Sequence, residues 1–433
     1  MKNSLLSRSC AAIAAVFTTV FILGALPATA KPVKIWVNSQ AEADYYANMV
    51  KIYNKKVDKN FTAEFEAYGF MEMPDKLALA VKSGINTPDI VQFDEIFFSL
   101  YLKGEVPFLD VTDRIAKGPL AGGILPQRQG LFKWKGRTYG VPQSTSNVVL
   151  WYRDDLFKQA GITPNDLRTW EQFEAVARRI KKDDRHMLAM DWSYLGMLIR
   201  QRGYDFYSPS GEPLVDSAII VDTWKRLAMW NKEGIGMMPG QGGIFSPQFF
   251  GTSVSNNGVL AIMGADWYGL DILQNFDKDG AGKWRAMPLP VWTDSKSKGR
   301  RNTSSFSGQG LVIFKKSTQT EASWKFVEWV MSDIDANVER YLQGNCFTPY
   351  KPAWSDLRLA RPEPFFGNQI LSQLFIELAP KAPTPSQSPM NAMIVNFVRE
   401  QYFSDVMGGG TTAEEAFSQM KAKIAEMSGG KKK

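Results

Sequence analysis

The chain has 433 residues, 44% hydrophobic and 22% charged, with a formal net charge of +7. That is more chain than one hydrophobic core serves, so two lobes or domains are expected. One His and two Cys argue against a His-dependent catalytic triad and against metal sites, which need several such ligands, and no basic stripe interleaved with aromatics points to nucleic acid.

The first thirty residues read as a secretory signal peptide. Lys2 and Arg8 make a positive start, residues 11–26 are mostly apolar, and Ala28-Thr29-Ala30 is a small-x-small cleavage site. Cleavage after Ala30 removes two positive charges, Lys2 and Arg8, and leaves +5 of the +7. It also removes Cys10, so Cys346 stands alone in the mature chain, read as a small buried residue rather than a nucleophile. After Ala30 no apolar run is long enough to span a bilayer. An exported protein is expected, periplasmic in a Gram-negative source.

Residues 33–37 then read as a strand, followed by polar Asn38-Ser39-Gln40 and a helix with Tyr45, Met49, Ile52 and Tyr53 at helical spacing. Residues 61–68 read as a second strand and 73–81 as a helix. Residues 90–93 form a short buried strand closed by Asp94, and 97–102 a helix stopping at Gly104. Such alternation argues for an α/β lobe with a mainly parallel sheet, whose ligands bind beyond the carboxyl ends of the strands. Asn38-Ser39-Gln40 and Asp94 share that rim.

The neutral tract Gln143-Ser144-Thr145-Ser146-Asn147 precedes an apolar run at 148–152. Thr169-Trp170-Glu171-Gln172 is a capping-box pattern opening a helix to about Ile180. His186 follows a charged run and reads as an exposed loop residue. Residues 217–232 form a long helix, and 239–243 a Gly-rich turn. Residues 259–263 read as a buried strand delivering Gly264-Ala265-Asp266-Trp267-Tyr268-Gly269 as a loop. Residues 293–305 read as a flexible, polar, basic loop. A strand at 311–314 and helices at 321–331 and 334–342 follow, and two helices close the chain. No nucleotide-binding glycine motif or EF-hand spacing appears, so no cofactor is expected.

At this point an ordered set of motifs stands out. It comprises Lys135-Gly136-Arg137-Thr138-Tyr139-Gly140-Val141-Pro142, Tyr152-Arg153-Asp154-Asp155-Leu156-Phe157, Ala160-Gly161 and Thr169-Trp170-Glu171-Gln172-Phe173. Pro88-Asp89-Ile90-Val91, the 258–263 run with Trp267, and 308–314 with 322–330 extend it along nearly the whole chain. Together they resemble the extracellular solute-binding proteins of ABC transporters, the carbohydrate-binding family that includes maltose-binding protein. Arg153-Asp154 stands where the family usually has Asn-Lys, on what is expected to be surface.

The resemblance implies an α/β two-lobe periplasmic binding protein fold, with crossing hinge strands and an interlobe ligand cleft. It implies crossings near residues 144–149, 306–311 and 344–350. The N-terminal lobe would hold 31–146 and 309–346, and the C-terminal lobe 147–308 and 347–433. It implies a sugar ligand, of mono- or disaccharide size such as lactose- or arabinose-like, and delivery to inner-membrane ABC permease subunits with a cytoplasmic ATPase. A monomer without enzymatic activity is expected.

A sugar needs amides and carboxylates for its hydroxyl edge and an aromatic for its C–H face. Trp267 is the leading candidate, against a core role. Asp94 serves as hydroxyl acceptor or as helix N-cap, and Ser39 and Gln40 carry the same alternative. Gln143 and Ser144 stand on the first crossing, Gly308 and Gln309 on the second. Tyr68, Asp191, Trp192 and Trp354 complete the set. A binder of an anionic sugar, suggested by the basic loop 296–301, a polyamine binder, and an exported carbohydrate-active enzyme using two carboxylates remain the alternatives.

Overall fold

The computed structural model describes residues 31–181, 185–343 and 345–429. The signal segment with its cleavage site, Lys182-Asp183-Asp184, Gly344 and the terminal lysines lie outside the described residues. Two sheets organise the rest. The first runs in the order Ala63–Ala67, Val33–Val37, Ile90–Asp94, Gln309–Ile313, Gly140–Pro142 among the described residues. Its first three strands are parallel. Gln309–Ile313 is antiparallel to its neighbours on both sides. Four of these five strands thus run one way, as a mainly parallel sheet requires, and Gln309–Ile313 is reversed because it enters from the second sheet and runs back against the βαβ strands.

The second sheet runs Trp284–Met287, Asn147–Arg153, Val259–Ala265, His186–Ala189, Gly236–Met237, with Ser304–Ser305 paired beside Asn147–Val148. Its strand Asn147–Arg153, paired on both sides, is buried along all seven residues. That explains an uninterrupted Val-Val-Leu-Trp-Tyr run, since a strand covered on both faces needs no polar alternation.

Local rules set the flanking helices. Thr169 and Gln172 exchange side-chain and backbone hydrogen bonds as a capping box at the start of Trp170–Ile180, which buries Trp170, Phe173 and Ala177. The helix Ser217–Lys232 buries Ile220, Trp224, Leu227 and Trp230 on one face. Most of the 13 Trp are core residues, Trp151, Trp170, Trp224, Trp230 and Trp284 all fully buried in the second lobe.

Four local expectations are corrected. His186 begins a strand and is half-buried, its Nδ1 3.0 Å from the Gly234 carbonyl. Residues 303–305 are buried and paired in the sheet, with Thr303 Oγ1 donating to the Val148 carbonyl at 2.8 Å, so the loop ends earlier. Residues Gly264 and Ala265 continue the strand, and the chain turns helical from Asp266 without an intervening loop. Arg153 is buried rather than surface, paired with Asp155 at 2.7 Å and lying over Trp284.

Candidate functional site

The chain passes between the two sheets twice, after Pro142 and after Ser305, and a third segment at 345–350 runs beside these; the three hydrogen-bond to one another. Gln143 N donates to the Gln309 carbonyl (3.0 Å), Thr145 N to the Phe347 carbonyl (2.8 Å) and Phe306 N to the Ser146 carbonyl (3.4 Å). No regular ladder continues through a crossing, so side chains must satisfy the remaining backbone groups. The neutral tract does much of that work. Thr145 Oγ1 and Phe347 N both donate to Asp266 Oδ2, at 2.9 and 3.0 Å. Asn147 Nδ2 donates to the Phe375 carbonyl at 2.9 Å. Ser144 and Ser146 hydroxyls lie 2.9 Å apart. Of the tract, Gln143 and Ser144 line the adjoining cleft.

Arg128 ties the first two crossings together from beneath. It is fully buried. Its Nε donates to the Ser144 carbonyl at 3.0 Å and its Nη2 to the Ser307 carbonyl at 3.0 Å. Burial pushes this guanidinium down to about 10 despite the nearby carboxylates of Glu95, Asp266 and Asp94. Gly308 packs against it with φ +151°. A Cβ there would overlap Arg128 Nη2, so this position requires glycine twice over.

Beside the crossings opens a cleft of about 1460 Å³. Its second-lobe wall is aromatic. Trp267 and Phe245 stack at 6.2 Å with 20° between planes, and Trp267 and Phe306 lie 5.9 Å apart at 32°. Trp192 meets Phe306 edge-on at 6.0 Å. Trp267, Trp192 and Phe245 are half-buried and line the opening. Neutral polar groups supply the floor, from Gln143, Ser144, Ser307 and Gln309, with Asn38 and Ser39 on the first-lobe side.

Of the residues singled out by sequence, Ser39, Asp94, Gln143, Ser144, Asp191, Trp192, Trp267, Gly308 and Gln309 line this cleft, whereas Gln40, Tyr68 and Trp354 do not. Gln40 turns along its own helix, donating to Asp44 Oδ1 at 2.9 Å. Tyr68 packs edge-on against Trp36 and donates to Glu66. Trp354 lies over Phe347 and donates to the Thr348 carbonyl at 3.0 Å, which makes it part of the lobe interior. Spacing cannot separate such residues from cleft residues, because side-chain direction is set by packing.

The two buried aspartates of the cleft are scaffold groups as well as lining groups. Asp94 caps the helix Glu95–Phe98 by accepting from Ile96 N at 2.9 Å, and it accepts from the Ser307 hydroxyl. Burial, then the charge of Glu95, pushes its carboxyl up to about 7. Asp191 accepts from Ser193 N and Oγ, at 2.9 and 2.5 Å. Burial pushes it up to about 6 against those bonds. The N-cap and cleft readings of Asp94 therefore coexist.

Several lining residues carried no sequence signal that was used. Gly240, Gln241 and Gly242, in the Gly-rich turn read only as a loop, reach the cleft. So do Phe70, Met71, Phe97 and Arg399. Basic loop residues 296–301 are spent elsewhere. Lys296 pairs with Asp222 at 2.5 Å, Lys298 covers Tyr204, and Arg301 donates to the Lys298 carbonyl. None of the six lines the cleft. Among the described residues no cluster of three or more His, Cys, Asp or Glu is arranged to hold a metal ion.

With this geometry in hand, comparison with known proteins is decisive for the family. The pattern of the bacterial extracellular solute-binding proteins matches residues 38–336. The chain belongs to that family. An arabinooligosaccharide-binding protein of Bacillus subtilis (strain 168) is 25% identical over 309 residues, covering 70% of this chain and 69% of the relative. A lactose-binding protein of Rhizobium radiobacter is 23% identical over 407 residues, covering 88% and 89%. In three dimensions, the galacto-N-biose/lacto-N-biose I-binding protein of the Bifidobacterium longum ABC transporter superposes with a TM-score of 0.74 at 16% identity, over 92% of this chain and 96% of that one. These likenesses fix the two-lobe binding-protein fold. No helix among the described residues is long and apolar enough to cross a membrane.

Proposed function

We propose that this solute-binding protein takes a neutral sugar into the cleft and hands it to the permease subunits of an ABC importer in the inner membrane. The observation that carries the reading is the pairing of a near-parallel aromatic wall, Phe245–Trp267–Phe306, with neutral amides and hydroxyls on the crossings. Aromatic faces take the C–H surface of a pyranose or furanose, while Gln143, Ser144 and Gln309 both donate to and accept from its hydroxyls. The relatives named for lactose and arabinooligosaccharides support a disaccharide or short oligosaccharide. A cleft of about 1460 Å³ has room for it.

Closure is by rotation at the crossings. In our reading the lobes divide at 146/147, 308/309 and 346/347, with 31–146 and 309–346 in the first. Sheet membership supports this, since Pro142 belongs to the first sheet and Asn147 to the second, while Ser305 belongs to the second and Gln309 to the first. Hinges absorb backbone rotation at a few such terminal positions. Ser146 (φ +48°) and Ser307 (φ +57°), left-handed residues on either crossing beside Arg128, are the positions expected to turn. The protein acts as a periplasmic monomer after cleavage at Ala30, and it binds without turnover.

A thermal-shift screen of residues 31–433 against neutral mono-, di- and oligosaccharides, sugar phosphates and polyamines tests this. A ligand at about 100 times its Kd adds about 2.7 kcal/mol of stability. Shifts confined to neutral sugars, with no product formed on incubation, are expected. A response to anions or amines alone, or turnover of the sugar, contradicts the reading.

A further inference from the structure

Large apolar side chains standing in water mark interaction sites when they cluster. Phe70, Met71 and Leu100 are 39%, 52% and 50% exposed, and all three line the first-lobe wall of the cleft. Phe97 backs them, its ring 5.0 Å from that of Phe70 at 50°. Pro74 extends the same wall. Among these side chains only the Met71 sulfur offers even a weak acceptor.

The second lobe brings complementary surface to the same place. Helix Asn391–Asn396 packs beside Ser99–Tyr101, with Ala392 N donating to Ser99 Oγ at 3.1 Å, and presents Met393 and Val395 to the cleft. Arg399 then reaches across, its Nη1 3.8 Å from Met71 Sδ and its guanidinium 6.0 Å from the Trp192 ring centre. Its Nε pairs with Glu400 at 2.5 Å. The charge is thereby answered on one edge, and the guanidinium and the Trp192 ring together form one wall for stacking.

We infer that this end of the cleft is an aryl subsite, so that the ligand is a glycoside carrying an aromatic group. The sugar lies on the Trp267 wall, and the ring enters between Phe70–Phe97 on one side and Arg399–Trp192 on the other. This rests on the sugar-binding reading above. A further sugar ring gains less from this surface, because Phe70, Met71, Pro74 and Leu100 answer none of its hydroxyls, which must turn to the flanking Asp75, Asn396 and Glu400 for partners. A flat apolar ring gains from the same surface, through burial, edge-to-face contact with Phe70 and Phe97, stacking on the guanidinium, and sulfur contact with Met71.

Calorimetric titration of residues 31–433 with matched methyl and phenyl glycosides of glucose, galactose, arabinose and lactose tests the subsite. The phenyl member of the recognised pair is expected to bind at least about tenfold tighter, a gap worth about 1.4 kcal/mol. Phe70→Ala and Leu100→Ser are expected to narrow that gap, weakening the phenyl glycoside more than the methyl glycoside. Equal affinity within the pair, or a gap that survives both substitutions, overturns the subsite and leaves sugar binding intact. If no glycoside of either kind binds, the sugar-binding reading fails and takes the subsite with it.

Discussion

Asp94→Asn isolates one consequence of building a hinge around buried carboxylates. Asp94 is 2% exposed, and its carboxyl is pushed from 3.8 up to about 7 by burial and by Glu95. The folded protein therefore holds this proton up to about pH 7, while the unfolded chain releases it near 3.8. A raised acid of this kind favours the fold at low pH, and that contribution is lost as pH rises between the two values. For this group alone, stability falls by about 2 to 3 kcal/mol between about pH 5 and about pH 8. Asparagine keeps an acceptor for Ile96 N and remains a good N-cap, but it carries no titrating proton. Urea unfolding of both proteins at the two pH values gives the difference. The variant's stability relative to wild type should rise by about 2 to 3 kcal/mol toward the higher pH. A difference independent of pH would refute the burial argument.

Gly308→Ala should destabilise by about 3 kcal/mol, since φ +151° and the overlap with Arg128 Nη2 both oppose a side chain; denaturant midpoints measure it. Lys296→Gln with Arg301→Gln should leave ligand affinity unchanged, because both side chains are engaged away from the cleft; titration of the double variant checks this. Cys346 is 5% exposed, and burial raises its thiol well above the ordinary range. In residues 31–433, which hold this one Cys, a thiol reagent should react slowly until urea unfolds the chain.

Periodicity and caps made the elements legible. The helix Ser217–Lys232 and the capping box at Thr169 have the bounds and partners that local pattern dictates, because both depend on residues within a turn of each other. Strand ends also pointed correctly to the rim holding Ser39 and Asp94. What local pattern could not reveal were pairings across hundreds of residues. Thr145 meets Asp266, Asn147 meets Phe375, and Arg128 meets Ser307, each over more than a hundred positions. So a neutral tract that looks like ligand chemistry devotes Thr145 and Ser146 to joining the lobes and Asn147 to a bond within the second. Phe70, Met71 and Arg399 show the converse. Phe70 and Arg399 carry no local mark in sequence, and Met71, which fits a helix core by pattern, precedes the helix and is 52% exposed; only the approach of the C-terminal helices to the first lobe gives the three a common cleft. Trp354 and Tyr68 resembled cleft aromatics, but packing holds both, half-buried, against Phe347 and Trp36 away from the cleft.

The central claim is that a neutral sugar lies against Trp267. Isothermal titration of residues 31–433 and of Trp267→Ala with the sugar that gives the largest thermal shift tests it most directly. Truncating a stacking aromatic at a binding centre costs about 2 kcal/mol or more, so binding by wild type and at least about tenfold weaker binding by the variant, still folded by circular dichroism, are predicted. Wild-type affinity retained by Trp267→Ala, or no heat from any neutral sugar, would contradict the account.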